Sequence, residues 1–82
     1  MKTFVLEKEL TVKHVLKDIL LEVTWSKIAK NYFGKSSSWL YHKLNGIDGN
    51  GNKSDFTEEE RMQLKDALID LSDRIRASAE EL

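Results

Sequence analysis

Apolar residues recur every three or four positions along most of this 82-residue chain, which is the period of one face of an α-helix. The first such stripe runs from Leu10 to Val23 and predicts an amphipathic helix, with Thr11 as its candidate N-cap. The pattern upstream leaves residues 2–9 open between a first helical turn and a frayed arm. The N-terminal part should therefore present one apolar helix face that needs a partner.

Two shorter helices are predicted in the middle of the chain, over residues 25–33 and 37–45. Each follows a hydroxyl residue that can cap its N-terminus, and each precedes a glycine suited to the left-handed conformation that ends a helix. The expected inward residues of the first are Ile28, Ala29 and either Tyr32 or Phe33, and those of the second are Leu40 and Leu44. The four capping residues, in chain order, are Thr24, Gly34, Ser36 and Gly46.

A long final helix is predicted over residues 57–80, after a polar loop at 47–55. It opens with Thr57 and Glu60 at capping-box spacing. At about 1.5 Å per residue it would be roughly 35 Å long, more than a three-helix core can cover. The excess is either a frayed tail or a contact with a second copy, and we expect a homodimer. Its apolar stripe consists of Leu64, Ala67, Leu68, Leu71 and Ile75.

These patterns together predict an all-α fold: one compact four-helix domain over residues 1–82, with a helix-turn-helix at 24–46. The chain has no cysteine, which excludes disulfides and thiolate metal sites. No apolar run reaches the roughly 18 residues that a membrane span needs. No signal-peptide core follows the N-terminus, so we expect a soluble, cytoplasmic protein without membrane contact.

Charge is divided unevenly along the chain, although the net charge is only −1. Residues 1–46 carry eight lysines against four acids, a net +4, and residues 47–82 carry five bases against ten acids, a net −5. Within 24–46 there are four lysines and no acid. Because local charge determines where a polyanion docks, this segment is a candidate nucleic-acid surface. The alternative is an ordinary solvated face.

Three motifs that would indicate catalysis or ligand binding are incomplete in this chain. The GKS at 34–36 lacks the earlier glycine and the preceding strand of a phosphate-binding loop. The loop places Asp48, Asn50 and Asn52 at calcium-loop spacing, but Lys53 stands where that loop requires glycine. No serine–histidine–acid arrangement is evident. We therefore expect no enzyme activity, no metal site and no cofactor.

The predicted helix 37–45 has the features of a helix that reads DNA. With Leu40 and Leu44 facing inward, Ser38, His42 and Asn45 face outward, and Tyr41 lies at the edge. Serines at a helix start can contact base edges in a major groove, with His42 one turn later, while lysines and helix N-termini bind phosphates. Candidate base contacts are Ser37, Ser38, Tyr41, His42 and Asn45. Candidate phosphate contacts are Thr24, Ser26, Lys27, Lys30, Lys35, Ser36 and Lys43.

Two resemblances accompany these patterns. The segments VTWSKIAKNYFG, GKSSSWLYHKLNG and FTEEERMQLKDAL resemble the phage-repressor type of helix-turn-helix domain over about residues 10–72. That likeness implies base contacts at Ser37, Ser38 and His42 and phosphate contacts from Thr24 to Ser26. Here 29–34 is one residue longer than in that pattern, and one long helix replaces two shorter ones. The whole chain also resembles short bacterial proteins grouped as a domain of unknown function.

The competing hypothesis is a protein-interaction module centred on two aromatic residues of the same helix. Trp39 and Tyr41 could form the centre of a contact with another protein, because aromatic residues dominate such contacts. Trp39 could instead stack on nucleic acid, or pack against the last helix or a second subunit. Trp25 is expected in the core or as a cap over the first helix.

Overall fold

The computed structural model describes residues 11–82, so Leu10 and the turn or arm predicted over 2–9 lie outside the described residues. The chain forms short helices, a small hairpin and one long helix. In order, the elements are α1 (Val12–Val15), α2 (Trp25–Ile28), a π-helix (Ala29–Phe33), α3 (Ser37–Asn45), β1 (Gly46–Ile47), β2 (Lys53–Ser54) and α4 (Glu58–Glu80).

The first helix is much shorter than predicted. Thr11 caps it, since its hydroxyl accepts a hydrogen bond from the His14 N–H at 3.1 Å. Beyond Leu16 the backbone continues as turns whose bonds span three residues, such as that from the Ile19 N–H to the Leu16 carbonyl at 2.9 Å. The Trp25 indole N–H donates to the Leu20 carbonyl at 2.7 Å. The apolar stripe still packs on the core, but through tight turns that tertiary contacts hold in place.

The predicted helix over 25–33 is confirmed in extent, but its second half is a π-helix. One consequence is a wide turn in which the Lys35 N–H bonds to the Ala29 carbonyl at 3.0 Å. Tyr32 anchors this turn to α4: its hydroxyl donates to Asp70 and accepts from Arg74, and its carbonyl accepts from the Gln63 amide at 2.9 Å. Such π turns are rare and commonly mark functional sites.

The helix over 37–45 and both of its caps are confirmed as α3. The Ser36 hydroxyl accepts from the Trp39 N–H at 3.2 Å. Gly34 and Gly46 have φ of 65° and 83°, the left-handed region where a side chain would be strained. Leu40 is fully buried and Leu44 nearly so. The local helix signals were therefore sufficient to determine where this element begins and ends.

The all-α prediction is wrong in one respect, because the predicted loop over 47–55 is largely a β-hairpin. Gly46 pairs with Ser54 and Ile47 with Lys53 in an antiparallel register. The Asp48 carboxylate holds the connection by accepting from the N–H groups of Asn50 and Asn52 at 2.8 and 2.9 Å. The Asp-Gly and Asn-Gly pairs at 48–51 are typical hairpin signals, and the prediction of a plain loop gave them no weight.

The long helix is confirmed as α4, with Thr57 and Glu60 forming the predicted capping box. Only part of its predicted apolar stripe is buried. Leu64 and Ala67 are buried and Leu71 is half-buried, whereas Ile75 is 60% exposed. From Ser72 onward every residue is exposed, so the helix extends past the core as its length predicted. The buried core consists of Trp25, Ile28, Ala29, Leu40, Leu44, Phe56, Leu64 and Ala67.

Candidate nucleic-acid interface

The outward face of α3 presents a graded set of polar side chains. Ser38 and Asn45 are exposed, Tyr41 is 45% exposed, and Ser37 and His42 are half-buried. This order follows from Leu40 and Leu44 being fixed in the core, since residues on the opposite side of a helix must then point to solvent. The five candidate base-contacting residues therefore share one surface of one helix, but they are not equally accessible.

Two of these residues already have neighbours within the chain. The Lys13 ammonium donates to the Asn45 side-chain oxygen at 3.0 Å, which ties α1 to the end of α3. The His42 ring faces the hairpin so closely that a β-carbon at Gly49 would lie 3.8 Å from its Cε1 atom. Ser38 and Tyr41 are thus the freer members of the face, and a ligand would meet Lys13 beside Asn45. No sequence pattern indicated Lys13, because its contact lies 32 residues away.

Most of the candidate phosphate-contacting residues are exposed. Thr24 adopts an extended conformation before α2, and its side chain makes no capping hydrogen bond. The Ser36 hydroxyl, in contrast, is already used as a cap for α3. The exposed members of the set are Thr24, Ser26, Lys27, Lys30, Lys35 and Ser36. The first three lie at the start of α2, Lys30 lies in the π-helix, and Lys35 and Ser36 lie in the turn before α3. A helix N-terminus also offers backbone donors to anions.

Lys43 differs from the other lysines because its ammonium has partners. It lies 3.0 Å from Glu60 Oε1 and also donates to the Asp55 carbonyl at 3.0 Å. Its side chain is 15% exposed and that of Glu60 is 24% exposed. Contact between Lys43 and a phosphate would therefore require this ion pair to break. In its present position Lys43 joins α3 to the start of α4.

The electrostatics of Glu60 are consistent with that connecting role. Partial burial alone would raise the pKa of its carboxyl group. Hydrogen bonds from the Thr57 N–H and from the Lys43 ammonium outweigh burial, so the pKa of Glu60 lies below its ordinary value. The carboxylate is held in its charged form by two partners, one within its own capping box and one on α3.

Trp39 lies within a cluster of aromatic and basic side chains at the edge of α3. Its ring centroid is 5.1 Å from that of Phe33, at a tilt of 50°. The ammonium groups of Lys35 and Lys43 lie 5.7 and 5.6 Å from the Trp39 ring, within cation–π range. Trp39 is half-buried and packs against the core. Tyr41 is the more exposed of the two aromatic residues.

The calcium-like spacing in the loop has a structural explanation. The Asp48 carboxylate accepts backbone hydrogen bonds from Asn52 and Asn50, which lower its pKa below the ordinary value. Asp48 therefore organises the turn of the hairpin. Among the residues that the structure describes, no group of three or more histidine, cysteine or acidic side chains could hold a metal ion. No helix in the same residues is long and apolar enough to cross a membrane.

The fold and this surface define a small helical domain in which a hairpin and one long helix support two short helices. The family model described as a domain of unknown function (DUF5053) matches residues 12–82, and the chain belongs to that family. Comparison with curated proteins and with solved structures gives no match. The family match agrees with the second resemblance noted in the sequence and provides no support for the phage-repressor resemblance.

Proposed function

We propose that this protein binds double-stranded DNA in a sequence-specific manner and acts as a small transcriptional regulator. The observation that carries the proposal is the arrangement of α3. Its capped N-terminus presents Ser38 and Tyr41 to solvent, and three exposed lysines lie in the segment that leads to it. A helix of this kind fits a major groove with its first residues against base edges.

The turn before α3 supports the same proposal. The left-handed Gly34 and the extended Ser36 connect the π turn to α3 within three residues, and α2 and α3 contact each other. A π-helix takes up additional chain in one turn. That property accommodates the residue by which 29–34 exceeds the phage-repressor pattern. The phage-repressor resemblance supports docking of α3 in the major groove, with Ser37, Ser38 and His42 nearest the bases.

The four lysines of residues 24–46 differ in exposure and in their partners. Lys27, Lys30 and Lys35 are exposed and make no ion pair within the described residues, whereas Lys43 is paired with Glu60. We therefore assign phosphate binding to the first three and a positioning role to Lys43. Three neutralised phosphates per copy would make affinity strongly dependent on salt, because each releases condensed counterions.

A homodimer is part of the proposal, formed by the part of α4 that extends past the core. The buried face of the helix continues at Ile75, which is 60% exposed. Arg74 and Arg76 precede Glu80 and Glu81 along the chain. Antiparallel packing of two copies would bring opposite charges together along this apolar face. A dimer with twofold symmetry would read a palindromic site.

The test is selection from random duplex DNA with the full chain, followed by binding to any enriched duplex across a salt series. The double variant Lys27→Glu, Lys30→Glu should weaken binding and flatten the slope of log affinity against log salt by about 0.9 per lost phosphate contact. Lys65→Glu on α4 is the control for a charge reversal away from the interface. Ser38→Ala should instead relax the preference at one base position, by roughly 1 kcal/mol.

Two results would count against the proposal. One is the absence of detectable binding to any duplex at low salt. The other is binding that Lys27→Glu, Lys30→Glu and Lys65→Glu weaken equally, which would indicate only a general charge effect. The rival hypothesis of a protein-binding surface predicts a different pattern, in which Tyr41→Ala abolishes a contact that the lysine variants leave unchanged. A palindromic selected site would support the dimer.

A further inference from the structure

The β-hairpin of residues 46–54 stands beside the outward face of α3. Gly46 is both the C-cap of α3 and the first residue of β1, so no linker separates the helix from the hairpin. Both strands also contact α3. The turn comes close to His42, since a β-carbon at Gly49 would lie 3.9 Å from the Nε2 atom of that ring. The hairpin is therefore fixed next to one of the candidate base-contacting residues.

The turn and the second strand present donors that suit phosphate groups. Asn50, Asn52 and Lys53 are exposed, and their side chains can donate hydrogen bonds from amide or ammonium nitrogen atoms. Lysine and asparagine side chains are among the groups that contact phosphate oxygens in protein–DNA complexes. The Asp48 carboxylate in the turn is already occupied by two backbone N–H groups, at 2.8 and 2.9 Å. Its acceptors are thus directed to the chain itself.

Lys53 carries a positive charge that a phosphate could engage at small cost. Its ammonium lies 3.6 Å from Asp55 Oδ2, and the two side chains are 85% and 56% exposed. Ion pairs that are this open to solvent contribute little stability, so a phosphate can replace the carboxylate as the partner of Lys53. Lys43 is the opposite case, because its pair with Glu60 is 3.0 Å long and largely shielded from solvent.

We propose that this hairpin binds the DNA phosphate backbone beside the bases that α3 reads, an inference that rests on the DNA binding proposed above. The major groove of B-DNA is about 12 Å wide, and an α-helix with its side chains is about 10–12 Å across. A helix seated in the groove therefore fills its width. An element packed against the side of that helix meets the edge of the groove, where the phosphates lie. Lys53 makes the charged contact, and Asn50 and Asn52 are uncharged donors from the turn.

The test uses the full chain and a duplex enriched by the selection described above, and it compares Lys53→Gln with Lys65→Gln. Both changes remove one positive charge from an exposed lysine, and Lys65 lies on α4. Each phosphate that borders the selected bases is replaced in turn by a neutral methylphosphonate. The dissociation constant of each protein is then measured for each modified duplex. A direct contact is a phosphate whose replacement weakens binding of the unmodified chain but not of Lys53→Gln.

We expect replacement of one or two such phosphates to weaken binding of the unmodified chain and of Lys65→Gln by roughly two- to fivefold, and to leave binding of Lys53→Gln unchanged. On the unmodified duplex, Lys53→Gln should also flatten the slope of log affinity against log salt by about 0.9. The double variant Asn50→Ala, Asn52→Ala should weaken binding without changing that slope, because uncharged donors neutralise no phosphate.

The outcomes separate this inference from the DNA binding on which it rests. If every phosphate replacement weakens Lys53→Gln as much as the unmodified chain, the hairpin makes no phosphate contact and this inference is overturned, while the proposed function stands. Absence of binding to any duplex at low salt would overturn both. The melting temperature of each variant, measured alongside, should match that of the unmodified chain, because the altered side chains are exposed.

Discussion

The ion pair between Lys43 and Glu60 allows a quantitative prediction about how α3 is held. We consider Lys43→Met and Glu60→Gln, which remove each charge while retaining most of the side-chain shape. The glutamine can still accept from the Thr57 N–H, so the capping box is preserved. The perturbation therefore isolates the charged contact between the two helices from the local contribution of the cap.

The magnitude follows from the geometry of the pair. Fully exposed ion pairs contribute about 0.2–1 kcal/mol. This pair is at 3.0 Å, with side chains only 15% and 24% exposed, so we expect a coupling of about 1 kcal/mol, at the upper end of that range. For a domain of this size, a loss of about 1 kcal/mol lowers the melting temperature by roughly 4–8 °C.

Urea unfolding of the two single variants, the double variant and the unmodified chain gives the coupling as a double-mutant cycle. The chain also contains a matched control, the pair of Lys53 and Asp55, which is 3.6 Å apart with side chains 85% and 56% exposed. The corresponding cycle with Lys53→Met and Asp55→Asn should give a coupling below about 0.3 kcal/mol. Equal couplings for the two pairs would refute the reasoning, because shielding from solvent would then have no effect.

The pH dependence provides an independent check with a definite sign. The pKa of Glu60 is lowered in the folded chain, so its contribution to stability is present above the unfolded value of 4.5 and is lost as pH falls through the lower folded value. The difference in unfolding free energy between the unmodified chain and Glu60→Gln should therefore shrink below pH 4.5. A difference that stays constant as the pH is lowered would show that Glu60 does not act through its charge.

Two further predictions concern the framework that holds α3. Leu40→Ala removes a fully buried side chain and should lower the free energy of unfolding, measured in urea, by about 2–5 kcal/mol. A loss below about 1 kcal/mol would mean that the site is not close-packed. Gly34→Ala should lower the free energy of unfolding by roughly 1 kcal/mol because φ is 65°, although no atom lies within 4 Å of the added carbon. Gly49→Ala should be nearly neutral by the same measurement.

The candidate site could be predicted in part from the sequence, because its exposed face depends on two local features. The caps at Ser36 and Gly46 define α3, and the spacing of Leu40 and Leu44 then determines which residues face outward. The sequence could not show which side chains of that face remain accessible to a ligand. The Lys13 contact to Asn45 and the Glu60 contact to Lys43 each join residues distant in sequence, and they determine which polar groups remain available.

The sequence by itself determined the end of the helix at 25–33, both ends of the helix at 37–45 and the start of the last helix after Thr57, because caps and left-handed glycines act through hydrogen bonds between residues three to six positions apart. Tertiary structure decided what periodicity left open. After Leu16 the apolar stripe packs on the core through tight turns instead of a continuous helix, and the π turn is held where Tyr32 contacts α4. Interactions of that kind depend on the approach of distant segments, and an apolar stripe specifies only which side of a helix is buried, not what it meets.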